Sequence, residues 1–170
     1  MEIDRFWGFV AQARQVATEP YEIAKRTSEL LARRTPEEII GAHQTLWTLM
    51  AASYRTDLWG AAHLINDGAS DDGFEAFRGW LITQGRDVFN RAVADPDSLA
   101  DHPAVIERDD DLECEDMLDV AGEAYRAVTG DDLPANSYTI RYPELDLDWD
   151  FDDTEQARQH LPRLSALLLE

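Results

Sequence analysis

The sequence holds one cysteine, one lysine and no apolar run longer than four residues. A lone thiol, Cys114, closes no internal disulfide and completes no cysteine-based zinc cage. Runs such as Leu49–Ala52 fall far short of the roughly 20 apolar residues that a helix needs to cross a bilayer. The opening Met1-Glu2-Ile3-Asp4 has no basic segment followed by an apolar one, so no secretory leader is expected. These absences predict a reduced, soluble, cytoplasmic protein. Also missing are Gly-x-Gly-x-x-Gly, Gly-x-Ser-x-Gly and His-Glu-x-x-His. With them go the usual signals for a dinucleotide site, a hydrolase elbow and a zinc protease. No cofactor and no metal site are predicted.

What the chain has in excess is acid: 35 Asp and Glu against 15 Lys and Arg over 170 residues, a net charge of −20. The excess is uneven. Eighteen acids lie between Asp101 and Asp153 against three bases, Arg108, Arg126 and Arg141, which places fifteen of the twenty excess charges in under a third of the chain. Such a field repels phosphate backbones and anionic leaflets, so neither direct nucleic-acid binding nor membrane attachment is expected. It attracts basic protein surfaces. With 44% apolar and 9% aromatic residues, the composition is globular rather than disordered.

Up to residue 95, apolar positions recur three or four apart, which predicts helices joined by short connectors. Asp4 is expected to cap the first, carrying Phe6, Val10, Ala13 and Ala17; Pro20 opens the second. Thr35-Pro36-Glu37-Glu38 combines a cap, a proline at the first helical position and a glutamate three after the cap, the strongest start signal in the chain. Its helix aligns Ile39, Ile40, His43, Leu46, Trp47, Met50 and Tyr54. Asp57 is expected to cap a fourth helix ending at Asn66-Asp67-Gly68, and Asp71 or Asp72 a fifth through Phe74, Phe77 and Leu81. A sixth, with Val88, Phe89, Ala92 and Val93, stops at Asp95-Pro96.

Residues 98–113 read as an exposed acidic loop with one short turn, followed by a helix over Cys114–Val128 that Gly130 ends. After Pro143, Leu145, Leu147, Trp149 and Phe151 alternate with aspartates, the period of extended chain with one docked face. Thr154 opens a last helix, bent at Pro162. The expectation is an all-α fold of about seven or eight helices: a helical domain over residues 1–128 and an acidic extension, 129–170, packed on it.

Several short motifs carry a resemblance. They are Asp4-Arg5-Phe6-Trp7, Tyr54-Arg55-Thr56-Asp57-Leu58-Trp59-Gly60 with His63-Leu64-Ile65-Asn66-Asp67-Gly68, and Ser70-Asp71-Asp72-Gly73-Phe74. Phe77-Arg78-Gly79-Trp80-Leu81-Ile82, Gln84-Gly85-Arg86 and Ala94-Asp95-Pro96-Asp97-Ser98-Leu99 complete the series. In this order they resemble the domain-of-unknown-function 4240 family of bacterial proteins, over roughly residues 1–128. The resemblance implies a small, mainly helical cytoplasmic domain and brings no activity, substrate or catalytic residue with it.

Candidate chemistry concentrates between Asp57 and Arg78. Trp59 and His63 share a helical face, and Asp71 and Asp72 occupy the following turn. With Trp7 and Tyr54 they offer an aromatic wall, an imidazole and paired carboxylates, the means to bind a polar ligand or perform acid–base chemistry near neutral pH. The structural reading uses the same residues as caps, core and an Arg78–carboxylate pair. Asp146-x-Asp148-x-Asp150 begins like a calcium loop, but Phe151 and Ala157 stand where its glycine and bidentate glutamate belong. The acids around Cys114 would suppress its thiolate. Two functions follow: a non-enzymatic interaction or regulatory module whose acidic face meets a basic partner, or a small-molecule-binding or hydrolase-like protein using the Asp57–Arg78 region.

Overall fold

A computed structural model describes residues 1–170. The chain is all-helical, without a strand. The ten α-helices are α1 (Ile3–Val16), α2 (Pro20–Leu31), α3 (Pro36–Ala52), α4 (Thr56–Ile65), α5 (Asp71–Thr83), α6 (Arg86–Ala94), α7 (Pro103–Glu107), α8 (Val120–Thr129), α9 (Thr154–His160) and α10 (Pro162–Leu168). Two 3-10 helices span Pro96–Asp101 and Glu115–Asp119. The count exceeds the expected seven or eight for three local reasons. Pro103 starts a short helix inside the acidic segment, whose His102 Nδ1 accepts the Ala104 N–H. The run from Cys114 begins as a 3-10 helix before becoming α-helical at Val120. Pro162 divides the last helix instead of bending it.

Where caps are satisfied locally, the boundaries follow the sequence. Thr35 Oγ1 accepts the Glu38 N–H while the Glu38 carboxylate accepts the Thr35 N–H, a complete capping box. Three expected carboxylate caps are replaced. Helix α1 starts at Ile3 after Glu2, α4 starts at Thr56 after Arg55, and neither cap residue makes a side-chain bond. Ser70, not Asp71 or Asp72, caps α5 by accepting the Gly73 N–H. The two aspartates then sit in the first turn, where the helix dipole favours negative charge.

Phe6, Phe74, Phe77, Phe89 and Trp80 are fully or almost fully buried in one contiguous core. Helix α1 packs on α2, α2 and α3 pack on α8, and α5 runs against the 3-10 helix at Glu115–Asp119. Helix α10 closes onto α4 and the 3-10 helix at Pro96–Asp101. Buried Asp97 fixes this closure by accepting the backbone N–H groups of Arg163 and Leu164 at 2.9 and 2.8 Å. Helix α10 has no cap of its own; Asp97 supplies one from 66 residues away.

Residues 131–153 form no helix and cross the body as a strap. Its alternation is partly realised: Trp149 is buried, Leu145 and Phe151 are half-buried, but Leu147 is 59% exposed. It is held by side chains of the helical body. The Gln44 amide accepts the Thr139 N–H at 2.7 Å and donates to the Thr139 carbonyl at 2.8 Å. Thr56 Oγ1 donates to the Asp146 carbonyl at 2.8 Å.

Candidate functional site

The end of α3, the first turns of α4 and α5 and the strap meet around one guanidinium. Arg78 is 1% exposed and has no carboxylate within ion-pair distance. The carboxylate partner expected from the sequence is therefore replaced. Nη1 donates to the Met50 carbonyl at 2.6 Å, in the last turn of α3, where carbonyl groups lack helical partners. Nε donates to the Phe74 carbonyl at 3.4 Å. The guanidinium carbon lies 4.5 Å from the Phe74 ring centre, 5.2 Å from Tyr54 and 5.5 Å from Tyr142. Aromatic faces attract a desolvated cation. Burial lowers the Arg78 pKa, and Tyr142, Glu75 and Tyr54 oppose that shift; an arginine so placed stays protonated. Burial also raises the Tyr142 phenol and the Glu75 carboxyl.

Trp59 stacks on Phe74 at 5.1 Å and donates its indole N–H to the Ala69 carbonyl. Beyond it, His63 Nδ1 accepts the Ala69 N–H at 3.2 Å, which leaves the proton on Nε2, 2.8 Å from the Asp152 carboxylate. No hydroxyl or thiol bonds to His63, so this pair lacks the nucleophile of a catalytic triad. Asp57, expected as a cap, accepts the Trp149 indole N–H at 3.0 Å and lies 3.3 Å from His160 Nδ1. Trp149 stacks flat on His160, ring centres 4.6 Å apart.

Of the eight candidate residues, Tyr54, Trp59 and Arg78 thus form one cluster, with Asp57 and His63 beside it under the strap. Asp71 and Asp72 are exposed at its rim, without a side-chain hydrogen bond or ion pair. Trp7 stands apart, buried between Phe6 and Phe89. No group of three or more His, Cys, Asp and Glu side chains is arranged to hold a metal ion. Cys114 is buried, and burial is the main reason its thiol pKa is raised, with Asp116 adding to it; the surrounding acids were expected to be the cause.

Sequence reasoning anticipated a docked face carrying Trp149 and Phe151 but missed the part of the strap that holds Tyr138 and Tyr142. Tyr138 stacks on Trp47 at 5.5 Å and meets the His43 ring edge-on at 4.6 Å. Beneath it, His43 Nδ1 and Trp47 Nε1 are buried without a hydrogen-bond partner, and burial lowers the His43 pKa. The signal available was the set of aromatic residues 138, 142, 149 and 151 inside an acidic stretch.

The acids themselves face outward. All eighteen from Asp101 to Asp153 are exposed except half-buried Asp153, which caps α9. Arg126 gathers Asp119, Glu123 and Asp132, and Arg163 pairs with Asp101. The run Glu107, Asp109, Asp110, Asp111, Glu113, Glu115 and Asp116 has no ion-pair partner. No helix is long and apolar enough to cross a membrane.

Compared with known proteins, the family model described as Protein of unknown function (DUF4240) matches residues 1–127. No curated protein and no solved structure matches the chain. The matched stretch ends at α8, so Tyr54, Asp57, Trp59, His63 and Arg78 lie inside it and the strap lies outside.

Proposed function

The chain belongs to the DUF4240 family, and from the placement of its charges we propose that it is a cytoplasmic, non-enzymatic interaction module whose acidic face docks a basic protein partner. The observation that carries this reading is the outward orientation of the acids from Asp101 to Asp153, with Glu107–Asp116 unpaired. A face of one sign speeds encounter with its opposite and excludes like-charged surfaces, and salt weakens its pull over distances of about 8–10 Å. The small-molecule or enzymatic alternative draws less support, because Arg78, Trp59, His63 and Asp57 are all engaged in intramolecular contacts.

The experiment is affinity capture at low and high salt with the wild-type chain and an Asp109→Lys, Asp110→Lys, Asp111→Lys variant. A basic partner held at low salt, released at high salt and lost by the variant is the expected result. Recovery of no partner, or of one indifferent to both salt and charge reversal, overturns the proposal.

A further inference from the structure

The strap lies outside the family match, yet the surface it covers is built from residues inside it: His43, Gln44, Trp47, Tyr54, Thr56 and Arg78. That surface treats the strap as a bound peptide is treated. Gln44 reads the Thr139 backbone at both its N–H and its C=O, and Thr56 reads the Asp146 carbonyl, contacts independent of the peptide's side chains. Selectivity comes from two aromatic seats four residues apart. Tyr138 fills the one over Trp47 and His43, and Tyr142 the one over Tyr54 and Arg78.

The fit is incomplete. Tyr138 and Tyr142 remain 36% and 38% exposed. Under Tyr138, His43 is 8% exposed with Nδ1 unpartnered, and the Trp47 indole N–H also lacks an acceptor. A buried donor without an acceptor is costly, and native proteins seldom leave one unexplained. The groove therefore offers polar groups that its present occupant does not use.

We propose that this groove is a peptide-recognition site, masked by residues 134–146 of the same chain. Its intermolecular ligand is an extended segment of a partner protein with two aromatic residues four apart. That segment also carries a hydrogen-bond acceptor over the Trp47 N–H. Attachment at both ends, to α8 through Gly130 and to α9 through Asp153, gives the strap a high effective concentration. A partner segment enters only as the strap lifts. The contacts are aromatic and backbone-directed, so this recognition stands or falls independently of the salt-dependent acidic face.

The test uses the full chain and, as probe, a fluorescently labelled synthetic peptide of residues 134–146. Disarming the strap with Tyr138→Ala and Tyr142→Ala removes the internal competitor. This variant is expected to bind the probe at least about tenfold more tightly than wild type, and a further Gln44→Ala to abolish that gain. A helical, cooperatively melting double variant that does not bind the probe overturns the proposal. So does binding that is equal in wild type and variant or that ignores Gln44→Ala. If the double variant loses its helical circular dichroism, Tyr138→Ala alone carries the same comparison with the same outcomes, since that side chain is over a third exposed.

Discussion

The indole of Trp149 lies directly against the backbone of Gly60, occupying the space that a β-carbon on that glycine would need. Eighty-nine residues apart in sequence, the two make a single contact in which the side chain missing from α4 admits the strap's largest anchor. Asp57, one turn earlier, completes the seat by accepting the indole N–H. Overpacking of this kind costs about 1–3 kcal/mol, and Gly60→Ala is expected to destabilise the protein by that much in urea denaturation. On a Trp149→Ala background the same substitution should cost much less, with only the Phe151 ring, 3.3 Å from the new β-carbon, left to give way. An undiminished cost there would place the effect in α4 itself.

Arg78 makes a second prediction, because its partners are carbonyls and ring faces rather than an acid. Lysine brings the same charge without the planar fork, so Arg78→Lys should lose about 1.5–3 kcal/mol of stability. Arg78→Met leaves the Met50 carbonyl only the Ser53 hydroxyl, 3.1 Å away, but removes a buried charge, and should cost about 1 kcal/mol. Chemical denaturation of both variants checks the order. Lysine tolerated better than methionine would show that charge alone matters at this position.

The cap of α5 is tested by comparing neighbours. Ser70→Ala removes the acceptor for the Gly73 N–H and should cost about 1 kcal/mol, whereas Asp71→Asn should fall within about 0.5 kcal/mol of wild type. Thermal melts of the two variants suffice.

Stability should also depend on pH through His43 and His102, whose pKa values burial lowers from the ordinary 6.5. Each stays neutral in the folded chain at a pH where the unfolded chain already protonates it. The stabilisation is therefore complete above the unfolded value and lost as pH falls through it. The melting temperature of wild type minus that of His43→Leu should shrink on going from about pH 7 to pH 5. A difference constant over that range would show that His43 does not titrate differently on folding. The raised carboxyls of Glu75 and Glu113 act in the opposite sense and at lower pH, and they are common to both proteins.

Much of the helical body is legible because its signals are local. The box at Thr35–Glu38, Pro20 at the start of α2, Asn66-Asp67-Gly68 after α4 and Gly130 after α8 each act within one turn of backbone. Where several polar residues compete for one role, the sequence leaves the choice open. Asp71 or Asp72 is the cap expected for α5, but Ser70, a residue type equally suited to the role, lies beside them and takes it. The candidate site was legible only in part, for the same reason. Tyr54, Trp59 and Arg78 are close in sequence and fall on neighbouring elements, but Trp7 shares their composition without sharing their location.

The sequence alone determined that the chain is helical, that its acids concentrate after residue 100 and that they face water, because periodicity and the cost of burying charge act residue by residue. Only the tertiary structure decided that Arg78 needs no acid, that Asp97 caps a helix 66 residues away and that the strap's aromatic residues fill a groove on the body. Those outcomes depend on which surfaces meet once the chain has closed, and a lone guanidinium or indole accepts many partners until packing leaves it one.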